Sequence, residues 1–99
     1  MAARSVEFHP KAIVEAREAG KWYSAKAGRL AARKFEQELD GAVKRIAESP
    51  ERWPQYRRGT RRYLLQRFPY AVIYRLSGTS VQILAIAHAR RRPEFWKQR

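Results

Sequence analysis

The chain has 99 residues, with 22 Lys+Arg against 9 Asp+Glu, a formal net charge of +13, and 44% hydrophobic and 12% aromatic residues. That composition fits one domain spanning 1–99 with a small core, and it is too apolar for a disordered basic tail. The absence of cysteine excludes a disulfide scaffold, a thiol nucleophile and a Cys-ligated metal. No apolar run approaches the ~18 residues a membrane span needs. The first residues, Met-Ala-Ala-Arg-Ser, read as neither signal peptide nor anchor, so a cytoplasmic protein is expected.

Arg4-Ser5-Val6-Glu7-Phe8 alternates polar and apolar residues and predicts a short strand, ended by His9-Pro10. A helix is predicted from Pro10 to about Lys26, with Ile13, Ala16, Ala19 and Trp22 or Tyr23 on its apolar side. Gly28 marks a corner. A second helix is predicted from about Arg29 to Glu48, with Ala32, Phe35, Leu39, Ala42 or Val43, and Ile46 spaced three and four apart. Ser49-Pro50 stops it. After a loop over 50–60, three strand-like runs follow: Arg61–Phe68, Tyr70–Leu76 and Val81–Ala87, joined by Phe68-Pro69 and by Ser77-Gly78-Thr79-Ser80. The expected fold is α+β. It has an N-terminal strand, an antiparallel helical hairpin, and a three-stranded antiparallel meander with both helices on one face.

The charge is uneven. Residues 1–51 hold 10 basic and 8 acidic side chains, whereas residues 52–99 hold 12 basic and 1 acidic. Eleven of those 12 are arginine. Guanidinium forks pair with phosphate or carboxylate and stack on aromatic rings, and unpaired like charges repel. A solvated basic face kept for solubility is the plain reading. A binding surface for nucleic acid or an acidic polypeptide is the sharper one. Strand alternation sends Tyr70, Val72, Tyr74 and Leu76 to one face and Ala71, Ile73 and Arg75 to the other. An open, Arg-edged sheet face is therefore the expected place for function.

Other chemistry is thinly represented. His9 reads as a turn residue. His88 ends a strand, where it either caps backbone groups or acts as an acid or base. Two distant histidines without a carboxylate pattern do not make a metal site. No glycine-rich phosphate loop or nucleophile elbow is present. Neither a cofactor nor a metal is expected.

Several segments taken in order resemble one family. They are Trp22-Tyr23, then Phe35 and Leu39 with Ile46-Ala47-Glu48-Ser49-Pro50, then Arg67-Phe68-Pro69-Tyr70 running into Val72-Ile73-Tyr74-Arg75, and finally His88-Ala89-Arg90-Arg91-Arg92-Pro93-Glu94-Phe95-Trp96. Over roughly the whole chain these resemble the RelE/ParE superfamily toxins of type II toxin–antitoxin systems, in the plasmid-stabilisation branch. The resemblance implies a cognate antitoxin with an acidic, apolar tail. Operator DNA would be reached only through that antitoxin, and no membrane is implied.

It also implies one of two targets. ParE-like members inhibit DNA gyrase by binding; RelE-like members cut mRNA on the ribosome. The RelE-like pattern has lysines at alternate positions of the first meander strand, an Arg early in the next and a Tyr near the C-terminus. The matching places here appear as Tyr63, Leu65, Ala71 and Trp96, so that set is largely missing. An alternative nuclease set is His88, Arg90, Arg67 and Arg75, with Tyr63 or Tyr74 as proton donor. The partner-binding residues expected are Arg61, Arg62, Arg67, Arg75, Arg90, Arg91, Arg92 and Trp96. The ParE-like reading is favoured. An endoribonuclease is the alternative, and a non-toxic basic nucleic-acid-binding module is the third.

Overall fold

His9-Pro10 turns an N-terminal strand into a helix, and a computed structural model describing residues 3–99 shows how. The strand is β1 (Ser5–Phe8) and the helix α1 (Pro10–Ala27). His9 is extended, and its Nδ1 accepts from the Lys11 N–H, capping a first turn that Pro10 opens. Gly28, at φ 93°, links α1 directly to α2 (Arg29–Glu48). A side chain is strained at that φ, so glycine makes the corner. A short 3-10 turn (Arg57–Gly59) precedes β2 (Arg61–Leu64), β3 (Tyr70–Ser77) and β4 (Ser80–His88).

The strands form one sheet of order β1-β4-β3-β2. The expected α+β arrangement holds: strand, helical hairpin, antiparallel meander. β1 adds a feature that periodicity does not carry, since it lies parallel to β4, with Ser5 opposite Ser80 and Phe8 opposite Ile83.

Both helices cover one face. Phe35, Leu39, Ala42 and Ile46 of α2 pack with Val72 and Tyr74 of β3 and with Val81, Ile83 and Ile86 of β4. Along α1 the predicted Ala16, Ala19 and Tyr23 pack into this core, but the row continues through buried Ala12, and Ile13 is 39% exposed. Tyr74 is fully buried and donates from its hydroxyl to the Pro50 carbonyl, fixing the turn after α2. The opposite face carries a second cluster of Ala71, Ile73, Leu84 and Ala85, capped by Trp96.

Two expectations need correction. The first meander strand ends at Leu64, not Phe68, and the connection to β3 is five residues, 65–69. Leu65 still donates to the Tyr70 carbonyl, but the Gln66 and Arg67 N–H groups turn to the Glu38 carboxylate on α2. That carboxylate draws the chain off the ladder. Strict alternation also fails in β4. Ile73 faces Ala85 but Tyr74 faces Ile83, so Leu84 is an extra residue. This bulge puts Leu84 and Ala85 on the same face and reverses the phase beyond them.

Candidate functional site

The sheet face away from the helices is less open than expected. Residues after β4 fold back across it, and Trp96, 3% exposed, sits over Ala71, Ile73, Leu84 and Ala85. Trp96 therefore belongs to the core and supports the surface from below, which corrects its place among the partner-contacting residues. A clamp holds this segment. Arg58 and Glu94 both have positive φ, 57° and 61°, and they bond side chain to side chain at 2.5 Å, with Arg57 3.3 Å from the same carboxylate. Two strained residues joined to each other mark a junction that the surrounding structure fixes. The Arg58 hydrogen bond, helped by Arg57, holds the Glu94 carboxyl below its ordinary pKa.

Between this segment and the β2–β3 end of the sheet lies a cleft of about 410 Å³. Its floor includes Ala71, Ile73 and Ala87, and Arg62, Arg91 and Arg92 stand around it. Two of these guanidinium groups lie over rings: Arg62 is 4.4 Å from the Tyr56 centroid, and Arg91 is 4.0 Å from Phe95. A ring beneath each guanidinium helps to hold it in place, and Arg91 also lies 3.9 Å from Glu15. Arg92 and Arg90 are exposed and, among the described residues, have no acidic partner. The cleft thus combines an apolar floor with a cationic rim.

The proposed nuclease set does not converge. Arg75 pairs with Gln82 and His88 with Tyr70, five residues apart along β3, or about 17 Å at ~3.3 Å per residue. Arg75 also donates to the Gln82 side chain at 2.8 Å. Arg67 turns toward α2, 3.4 Å from Glu38. The Arg61 guanidinium donates to the Glu51 and Trp53 carbonyls, so it holds the 50–60 loop rather than facing a partner. His88 sits at a lip. The β4 bulge turns its ring toward the helix side, edge-on to Tyr70 at 4.9 Å, while its Nδ1 accepts from the Arg90 N–H at 3.0 Å.

The lysine-equivalent positions also shift. Tyr63 and Leu65 lie under the helices at 9% and 7% exposure, so Arg62 and Leu64 are the β2 residues on the open face. Tyr74, fully buried and bonded to Pro50, is not available to donate a proton to a substrate.

One contact that completes the sheet edge was invisible in the sequence. β1 ends opposite Ile83, which leaves the rest of the β4 edge without a strand partner. There Glu15 of α1 accepts from the Ile86 N–H, Arg99 donates to the Leu84 carbonyl, and the two side chains pair at 2.7 Å. A largely buried ion pair thus takes the place of a strand. No sequence signal joins residues 84 positions apart.

Among the described residues no group of His, Asp and Glu is placed to hold a metal ion, and no helix is long and apolar enough to cross a membrane.

Comparison with known proteins gives a consistent picture. Residues 6–93 match the family model described as the ParE toxin of the type II toxin–antitoxin system parDE. No curated protein matches the sequence. The fold is similar to a chain of the chromosomal ParDE toxin–antitoxin system from P. aeruginosa, with TM-score 0.79 and 24% identity over 89% of this chain and 98% of that one. It is also similar to a chain of the toxin–antitoxin complex RelBE2 from Mycobacterium tuberculosis, with TM-score 0.60 and 23% identity over 89% and 93%.

Proposed function

The chain belongs to the ParE toxin family of type II toxin–antitoxin systems, and from this premise we propose that it arrests growth by binding DNA gyrase and is silenced by an acidic antitoxin. The observation that carries the reading is the make-up of the sheet-face cleft. Its floor is alanine and isoleucine, its rim is arginine, and its one imidazole, His88, has Nδ1 occupied by the Arg90 amide. Cleavage of RNA needs a base, an acid and cations around one phosphate. An apolar floor with cationic edges suits a protein segment instead, with its apolar side chains seated and its carboxylates at the rim. Both solved relatives are toxin–antitoxin systems, which supports an antitoxin as the resting occupant.

The test is to express the chain without its antitoxin and to follow mRNA integrity beside DNA supercoiling and replication. Growth arrest with intact mRNA, lost supercoiling and DNA breaks is expected. His88→Ala is expected to keep the arrest, because binding does not need the imidazole. Cuts within translated codons, abolished by His88→Ala, would replace this reading with the RelE-like one. Unimpaired growth would point to a basic module without toxicity.

A further inference from the structure

A second cavity, of about 550 Å³, lies away from the sheet-face cleft, where the C-terminal half of α2 meets β2 and the loop after it. Three guanidinium groups reach it from three elements: Arg45 from α2, Arg52 from the loop beyond α2, and Arg67 from the β2–β3 connection. Glu38 is the only acidic side chain among its lining residues, so the site carries a formal +2. The Glu38 Oε2 accepts from two backbone amides, while its Oε1 lies 3.4 Å from Arg67 Nε and is buried without a hydrogen bond.

Two residues that line the same space carry neutral donors. Tyr63 accepts from Arg45 Nη1 at 3.4 Å, which leaves its own O–H to give. Trp53 Nε1 is buried with no acceptor at all, and an unmatched buried donor in a folded protein calls for a missing partner. The helix makes room for the arrangement. A Cβ at Gly41 would lie 3.1 Å from Arg45 Nη1, so glycine there lets the guanidinium fold back over the helix.

We propose that this pocket binds a phosphate group. Its donors come from a helix, a loop and a strand end, and one planar carboxylate with two oxygens is satisfied by a single guanidinium fork. A tetrahedral anion presents oxygens in several directions, and a phosphate dianion matches the charge. Two sources share that chemistry, a phosphomonoester and the phosphodiester backbone of a nucleic acid.

The experiment follows the three indole N–H resonances of the purified full-length chain, assigned through Trp53→Phe, during titration with inorganic phosphate at constant ionic strength. Saturable movement of the Trp53 resonance, with Trp22 and Trp96 still, is expected. Arg45→Gln and Arg52→Gln are each expected to weaken it about tenfold, while Arg29→Gln, an exposed charge elsewhere, leaves it unchanged. Gly41→Ala strengthens the helix yet displaces Arg45, so it is expected to fold and to bind several-fold more weakly.

A short single-stranded oligonucleotide without terminal phosphate separates the sources. Movement of Trp53 by it assigns the site to a nucleic-acid backbone, and movement by phosphate alone assigns it to a phosphomonoester. If sodium succinate moves Trp53 as well as phosphate does, the site is one for acidic side chains and the proposal fails. It fails equally if no anion moves Trp53 beyond the chloride control, or if the Arg45→Gln, Arg52→Gln and Gly41→Ala variants bind as the parent does. None of these outcomes depends on what the toxin inhibits.

Discussion

Tyr74 carries two roles that a strand position alone does not reveal. Its ring fills the helix-side core, and its hydroxyl bonds to the Pro50 carbonyl just after α2. Burial pushes its pKa up to about 12, against a smaller opposing pull from Arg61. The folded state therefore keeps this proton where the unfolded chain, titrating near 10, releases it. By linkage, the contribution is complete below pH ~10 and declines as pH rises toward ~12. Tyr23 and Tyr70 are raised by burial too and act in the same direction. Tyr74→Phe is expected to lose about 1–2 kcal/mol at neutral pH, because the Pro50 carbonyl is left without its donor. It should also flatten the alkaline fall. Urea unfolding at neutral pH and across the alkaline range measures both.

Among the elements, the segment after β4 matters most for the site. It covers the outer sheet face with Trp96, clamps to the 57–59 turn through Glu94, and ties back to α1 through Arg99. Arg99 is nearly buried, at 8% exposure, and its removal leaves both the Leu84 carbonyl and part of the Glu15 charge unmatched. Arg99→Ala is expected to cost about 2 kcal/mol, less than the loss of a fully buried pair because Glu15 keeps the Ile86 amide and Arg91 nearby. A lowered urea midpoint with unchanged slope would show it. A change in slope would mean that the segment had come away from the sheet.

For the whole molecule, the excess of positive charge is partly answered within the fold. Glu15, Glu38 and Glu94 pair with Arg57, Arg58, Arg67, Arg91 and Arg99, so two carboxylates from the charge-balanced half reach across to the basic half. The remaining arginines still repel one another. Added salt is therefore expected to stabilise the free chain, on the order of 1 kcal/mol, or about 5 °C in Tm for a domain of this size. The same salt weakens the long-range part of antitoxin binding and leaves the apolar part. Opposite salt trends for the chain alone and for the complex, seen by calorimetry, are the expected signature; parallel trends would place the charge outside the interface.

Periodicity and turn residues settled much of the fold before any coordinates. The three-and-four spacing of Phe35, Leu39 and Ile46 demanded an amphipathic α2, His9-Pro10 and Gly28 placed both ends of α1, and alternation along β3 assigned its two faces. These are local effects, written in consecutive residues. The family was legible too, because its segments fall in order along the chain. Local pattern does not carry contacts between distant residues. The parallel pairing of β1 with β4, the extra residue at Leu84 that turns His88 to the helix side, the Glu38 carboxylate that ends β2 and the Glu15–Arg99 pair each depend on which surfaces meet. So does the sorting of the arginines: Arg61 is spent on backbone carbonyls, Arg75 on a neighbouring strand, and Arg62 and Arg92 border the cleft. A sequence counts charges, but only the packed chain decides which of them still face water.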